Sequence, residues 1–197
     1  RFSMAVGAVV QGQAPTVFTT LFEPQVRMAI WSRPSPMPPE APPPADFTAE
    51  CDGRWIAPSG PAPEWFLQDI ERLAEIVAAI SGCDAWRARC ETVTRRACPR
   101  FHQDAVPVRL IVAYEGPGPE WAFAGEIGED LDGRKIGTRR RVRTLHPGDV
   151  AVMKGTAPGW EAWPEFPEVL HRSPPAGRRS PRRVLTIDAA PDREDRV

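Results

Sequence analysis

Twenty-four prolines in 197 residues set the first limit on this chain. Proline has no amide hydrogen to donate and fixes φ, so it ends helices and is confined to loops, first turns and sheet edges. An all-helical bundle is excluded. The densest run is Pro34-Ser35-Pro36-Met37-Pro38-Pro39, with Pro42, Pro43 and Pro44 close behind. Such backbone is extended and has no hydrogen-bond ladder, and it reads as a surface linker laid along the fold. The remainder can build a core: 42% of the residues are hydrophobic, with seven Trp and eight Phe beside a single Tyr. Lys and Arg number 25 against 26 Asp and Glu, a balance that argues against nucleic acid as a partner. No apolar run approaches the roughly 20 residues that span a bilayer, so no membrane partner is expected. Cys51, Cys83, Cys90 and Cys98 form no Cys-x-x-Cys pair and lack the spacing of a zinc finger or ribbon. Gln11 and Gln13 interrupt the mildly apolar opening before it resembles a secretion signal. Free thiols in a reducing cytoplasm are the expectation.

The organisation follows from punctuation and period. Residues 1–60 read as an N-terminal strap and proline-rich linker, with a short apolar strand at 26–31, Val-Arg-Met-Ala-Ile-Trp. Residues 61–197 read as a helix plus a β-domain around a single core. Pro63 suits a first helical turn, and Phe66, Ile70, Leu73, Val77 and Ile80 step by 4, 3, 4 and 3. That is one apolar stripe, and Ser81-Gly82 ends it. From Trp86 onward, short apolar stretches near 106–114, 121–123, 141–145, 150–153 and 184–188 alternate with Gly and Pro turns. Strands so spaced predict an α+β chain whose β-domain is a small sandwich or jelly roll.

Chemistry concentrates at two histidines. His102 and Asp104 stand two apart, so on a strand they face the same side, and His171 lies 69 positions later (171 − 102). Two imidazoles and one carboxylate on a β-scaffold match the facial triad of non-haem iron(II) sites, which leaves coordination positions open. The same pair also reads as a surface hydrogen bond. If the three are ligands, their donor atoms must converge within roughly 3–5 Å, since metal bonds are about 2.0–2.2 Å long. Cys98 is either a fourth ligand or a buried, inert thiol. Arg139-Arg140-Arg141-Val142-Arg143 is balanced by Glu126, Glu129, Asp130 and Asp132 and reads as a solvated edge. His146 opens an exposed turn. Trp160 and Trp163 either wall a pocket or cap the core. No phosphate loop, nucleophile elbow or dinucleotide fingerprint is present.

Around these residues the order of features resembles prolyl-hydroxylase-type iron(II) and 2-oxoglutarate oxygenases. The His102-Gln103-Asp104 motif precedes an arginine-led strand, Arg109 to Tyr114; then come the Gly116-Pro117-Gly118 turn, Trp121, the distal His171 and a basic strand. The resemblance implies a double-stranded β-helix, iron(II) at His102, Asp104 and His171, and a basic residue gripping the far carboxylate of 2-oxoglutarate. Arg183 is preferred for that grip over Arg182, because it shares strand parity with Leu185 and Ile187. Arg109 and Tyr114 become candidate catalytic contacts. A second resemblance spans about 26–188. Ala29-Ile30-Trp31-Ser32-Arg33, Cys98-Pro99-Arg100-Phe101-His102-Gln103-Asp104, Tyr114-Glu115-Gly116-Pro117-Gly118-Pro119-Glu120-Trp121, Gly148-Asp149-Val150-Ala151-Val152-Met153-Lys154-Gly155 and His171-Arg172-Ser173-Pro174-Pro175 resemble signature blocks of a bacterial domain-of-unknown-function family, number 1826. That likeness implies no reaction, only a link to metal homeostasis. Two functions are therefore expected to compete. One is an oxygenase acting on a small molecule or side chain; the other is a non-enzymatic zinc-binding accessory protein whose closed site recruits Cys98.

Overall fold

The computed structural model describes residues 7–41, 44–52, 62–83, 85–129, 135–137, 141–156 and 168–190. The chain begins with β1 (Val9–Gly12), a 3-10 helix (Pro15–Phe22) and β2 (Met28–Trp31), then β3 (Phe47–Asp52) and the helix α1 (Glu64–Ser81). After it come β4 (Ala85–Val93), β5 (Val108–Glu115), β6 (Glu120–Phe123) and a hairpin of β7 (Ile127–Glu129) and β8 (Lys135–Gly137). The last strands are β9 (Arg143–Thr144), β10 (Val150–Lys154), β11 (Val169–Arg172) and β12 (Arg182–Ala190). Seven strands make one sheet in the order β1-β2-β10-β5-β12-β4-β3, and a second sheet has the order β11-β6-β9. The chain is mostly β-sheet. Among the described residues, no helix is long and apolar enough to cross a membrane.

α1 forms where its apolar stripe predicts. Pro63 precedes it with φ −59°, and Gly82 closes it in the left-handed region at φ 66°, its amide donating to the Ala78 carbonyl. Phe66, Ile70, Leu73 and Val77 are completely buried against Leu110, Val112, Val150, Val152, Leu185 and Ile187 of the large sheet. The opposite face of that sheet carries Met28, Ile30, Ile111, Ala113, Ala151, Met153 and Val184, which pack on Trp121 and Val169 of the small sheet. Both faces are therefore covered. This explains why β5 and β10 are nearly continuous apolar runs rather than alternating ones.

The N-terminal segment, expected to lie outside the core as a strap, supplies β1 and β2 to the large sheet. β2 pairs antiparallel with β10, Trp31 opposite Val150, and Leu21 and Val26 are completely buried. Four consecutive buried apolar residues in β2 gain more from the core than from solvent. Just beyond β2, Arg33 meets Asp69 of α1 through two hydrogen bonds of 2.5 and 2.8 Å, and its Nε donates to the Gly148 carbonyl. Gly148, at φ 93°, lies so close to the backbone of residues 33–35 that a Cβ would collide with the Ser35 nitrogen. Only glycine fits that crossing.

Candidate metal centre

β11 brings His171 to the cleft between the sheets, on the same side as the buried Val169 two residues earlier. Beside β11 the segment after Cys98 runs antiparallel, and His102 and His171 exchange both backbone hydrogen bonds at 3.0 Å. That bridge sets the two imidazoles side by side, tilted by 46° with ring centroids 4.6 Å apart. The bridge is confined to His102 and no strand includes Asp104, so strand pairing does not place that residue. A turn against β10 places it instead: Thr156 donates its amide to the Asp104 carbonyl, and Gly155 donates to that of Pro107. A Cβ on Gly155 would meet the Val106 carbonyl oxygen and lie 2.7 Å from that of Asp104. Gly155, the last residue of a quoted motif, is thus what lets the ligand turn close.

The three donor sets converge. Asp104 Oδ1 lies 3.6 Å from His102 Nε2, and Oδ2 lies 3.2 Å from His171 Nε2. One donor atom from each residue falls within 4.8 Å of the others. His102 Nδ1 is 2.9 Å from the Arg100 carbonyl, which can only accept, so Nδ1 carries a proton; Nε2 faces Asp104, donating to it when the ring is protonated and offering its lone pair to a metal when the ring is neutral. Burial raises the Asp104 pKa, yet hydrogen bonds from His102 and His171 and the charge of Arg109 outweigh it and hold the carboxyl far below its ordinary range. The hydrogen bond to Asp104 raises His102, against the opposing effect of burial. An ionised carboxylate flanked by two imidazole nitrogens is a site that favours a cation. The N2O donor set, with one imidazole already oriented, fits a divalent metal held by three protein ligands.

The other expected residues divide between the two faces of the large sheet. Arg109 faces the cleft and donates to Asp104, with Asp188 holding its far edge. Tyr114, five residues further along the same strand, points the opposite way: it is buried against Trp65 and Phe66 and donates to Asp69 at 2.7 Å. It does not reach the cleft. Arg183 also turns away, pairing with Asp46 at 2.8 Å on the helix face. Arg182 faces the cleft together with Val184 and Thr186, beside His102, Arg109, Ile111 and His171. It is 2% exposed, its Nε donates to the Pro117 carbonyl, and burial depresses its pKa to about 10. Among the described residues no carboxylate forms an ion pair with it. Cys98 lines the same cleft but is exposed rather than buried, and it stands outside the three-residue cluster. The His146 side chain is 87% exposed. Trp160 and Trp163 lie outside the described residues.

Sequence reasoning missed Gly155 and Asp188. Nothing local marks Asp188, whose role appears only through its register opposite Arg109. A family model described as "Protein of unknown function (DUF1826)" matches residues 45–188. The chain belongs to the DUF1826 family. No curated protein matches it. Among solved structures, this DUF1826 protein is similar to a prolyl-4-hydroxylase of Pseudomonas putida at 16% identity, covering 89% of this chain and 98% of that one, with a TM-score of 0.48. It is also similar to a C-terminally truncated Neurospora crassa protein in apo form, at 14% identity over 96% and 100% of the two chains, TM-score 0.46. A third is the Arabidopsis thaliana dioxygenase for auxin oxidation bound to 2-oxoglutarate, at 13% identity over 67% and 52%, TM-score 0.41.

Proposed function

We propose that this DUF1826 protein is an iron(II)- and 2-oxoglutarate-dependent oxygenase on a jelly-roll-like, double-stranded β-helix scaffold, acting on a small molecule or an accessible side chain. The observation that carries the reading is a pairing of features in one cleft. His102, Asp104 and His171 converge there, and the buried guanidinium of Arg182 lines the same wall, in no ion pair among the described residues; Glu120, whose charge acts on it, is itself paired with Arg172. A buried cation left unpaired costs free energy unless an anion completes it. Arg182, rather than Arg183, is accordingly the residue assigned to the far carboxylate of 2-oxoglutarate, through the planar fork that suits carboxylates.

Iron(II) held by the three ligands would supply the oxygen-activating chemistry, with open positions for the cosubstrate and dioxygen. The chain's own residues orient and shield that centre. Arg100 fixes the His102 ring through its carbonyl, and Arg109 holds one oxygen of Asp104. Ile111 and Val184 give the cleft an apolar wall that limits water near the metal. The zinc-binding accessory reading retains one supporting observation, the exposed Cys98 at the cleft wall. It requires that thiol to join the cluster as a fourth ligand.

Calorimetric titration of 2-oxoglutarate into anaerobic, iron-loaded protein tests the proposal. Arg182→Met should weaken binding by roughly 30-fold or more, the scale of one lost charge-assisted bidentate contact, while iron still binds. Arg183→Met should leave 2-oxoglutarate affinity near that of the wild type. Wild-type protein that binds no 2-oxoglutarate at millimolar concentration overturns the oxygenase reading.

A further inference from the structure

We propose that Asp188 is a positioning residue of the metal centre: it holds Arg109 so that Asp104 presents only Oδ2 to a metal. The inference rests on the metal reading above and extends it to a residue that never touches the ligand set. Asp188 stands directly opposite Arg109 across the β5–β12 pair, so the sheet register itself brings the two side chains together. Arg109 Nε and Nη2 donate to Asp188 Oδ1 and Oδ2 at 2.5 and 2.6 Å, which uses one whole edge of the guanidinium. Of the three N–H groups left, one on Nη1 reaches Asp104 and donates to Oδ1 at 2.5 Å. Oδ1 is thereby occupied, and Oδ2 is the oxygen beside His171 Nε2. A carboxylate with one oxygen held in this way binds a metal through the other, in monodentate fashion, and leaves a coordination position open.

The charge balance points the same way. Arg109, Asp104 and Asp188 together carry one excess negative charge, and their side chains are 18%, 12% and 19% exposed, so solvent screens them little. A divalent cation answers that excess. Without Asp188, Arg109 and Asp104 form a neutral pair, and the guanidinium is free to turn its bidentate edge onto both Asp104 oxygens. Both effects weaken the hold on a metal, and both act through Arg109.

Cobalt(II) titration of the full chain, followed by calorimetry and by the cobalt absorption spectrum, tests this. Asp188→Ala should weaken cobalt binding by roughly 10-fold, the lower end of the scale for a direct partner of a metal ligand, because it acts through Arg109. The double variant Arg109→Met/Asp188→Ala should recover most of that loss, because the competing guanidinium is gone, and its altered spectrum should report a changed Asp104 denticity. A residue that merely stabilised the fold would show no such recovery. Asp188→Asn, which keeps the side chain's size and one acceptor, should give an intermediate loss and serves if the alanine variant does not fold. Cobalt affinity equal to the wild type in Asp188→Asn and Asp188→Ala, or a double variant as weak as the single one, overturns the proposal. A wild-type chain that binds no divalent metal removes the metal reading as well, which separates the two failures.

Discussion

Asp104 accepts from Arg109, faces two imidazoles and anchors a turn through its own carbonyl, so a single residue ties three parts of the chain to one point. Its neighbours show what residue-scale reasoning can and cannot read. The convergence of His102, Asp104 and His171 was legible because ligand chemistry restricts residue type and spacing. The choice between Arg182 and Arg183 was not. Strand parity separates the two faces of β12, but both faces of this sheet are buried, so sharing parity with Leu185 and Ile187 marks a core face without saying which one holds the site. Tyr114 fails for the same reason: five residues from Arg109, it must point the other way. Cys90 shows how strongly the helix-side core excludes water. Completely buried, its thiol pKa is pushed up from 9.0 to about 12 by burial, with the Arg183 charge opposing. A group whose folded pKa is raised contributes stability that is complete below its unfolded pKa and is lost as pH rises through the folded one. Denaturant unfolding under reducing conditions should therefore show stability falling between about pH 9 and 12. Cys90→Ala should flatten that fall, and an unchanged slope would assign the alkaline loss to other groups.

At the scale of elements, α1 was legible because a 3.6-residue period with a proline before it and a glycine after it has few alternative readings. The ligand turn was not, because its geometry depends on contact with the end of β10, far along the chain, where Gly155 makes room for it. The two elements should respond differently to substitution. Leu73→Ala opens a void under α1, on the face of the sheet away from the cleft, and should cost ~2–5 kcal/mol of stability with metal affinity nearly unchanged. Gly155→Ala should do the reverse. The added methyl meets the backbone carbonyls of Val106 and Asp104, so the turn must move and metal affinity should fall further than stability. Chemical denaturation paired with metal titration of each variant checks this division, and a Leu73→Ala protein that folds but loses metal would contradict it.

Across the whole molecule, one sheet serves two purposes. Its helix face buries the main core, locked by the Arg33–Asp69 pair and Tyr114, and its other face forms the floor of the cleft. Placing stability and site on opposite faces explains why β5 carries apolar residues at nearly every position and yet delivers Arg109 to Asp104 of the candidate metal centre. It also explains why residues before 33, which read as an appendage, belong to the fold: β2 and Arg33 brace β10 and α1 behind the site. The claim on which everything else depends is that His102, Asp104 and His171 hold one metal ion. Anaerobic iron(II) titration of the wild-type chain and of His171→Ala tests it most directly. One ion bound per wild-type chain and none held tightly by the variant is the predicted result; no iron bound by the wild type, or equal binding by both proteins, would contradict it.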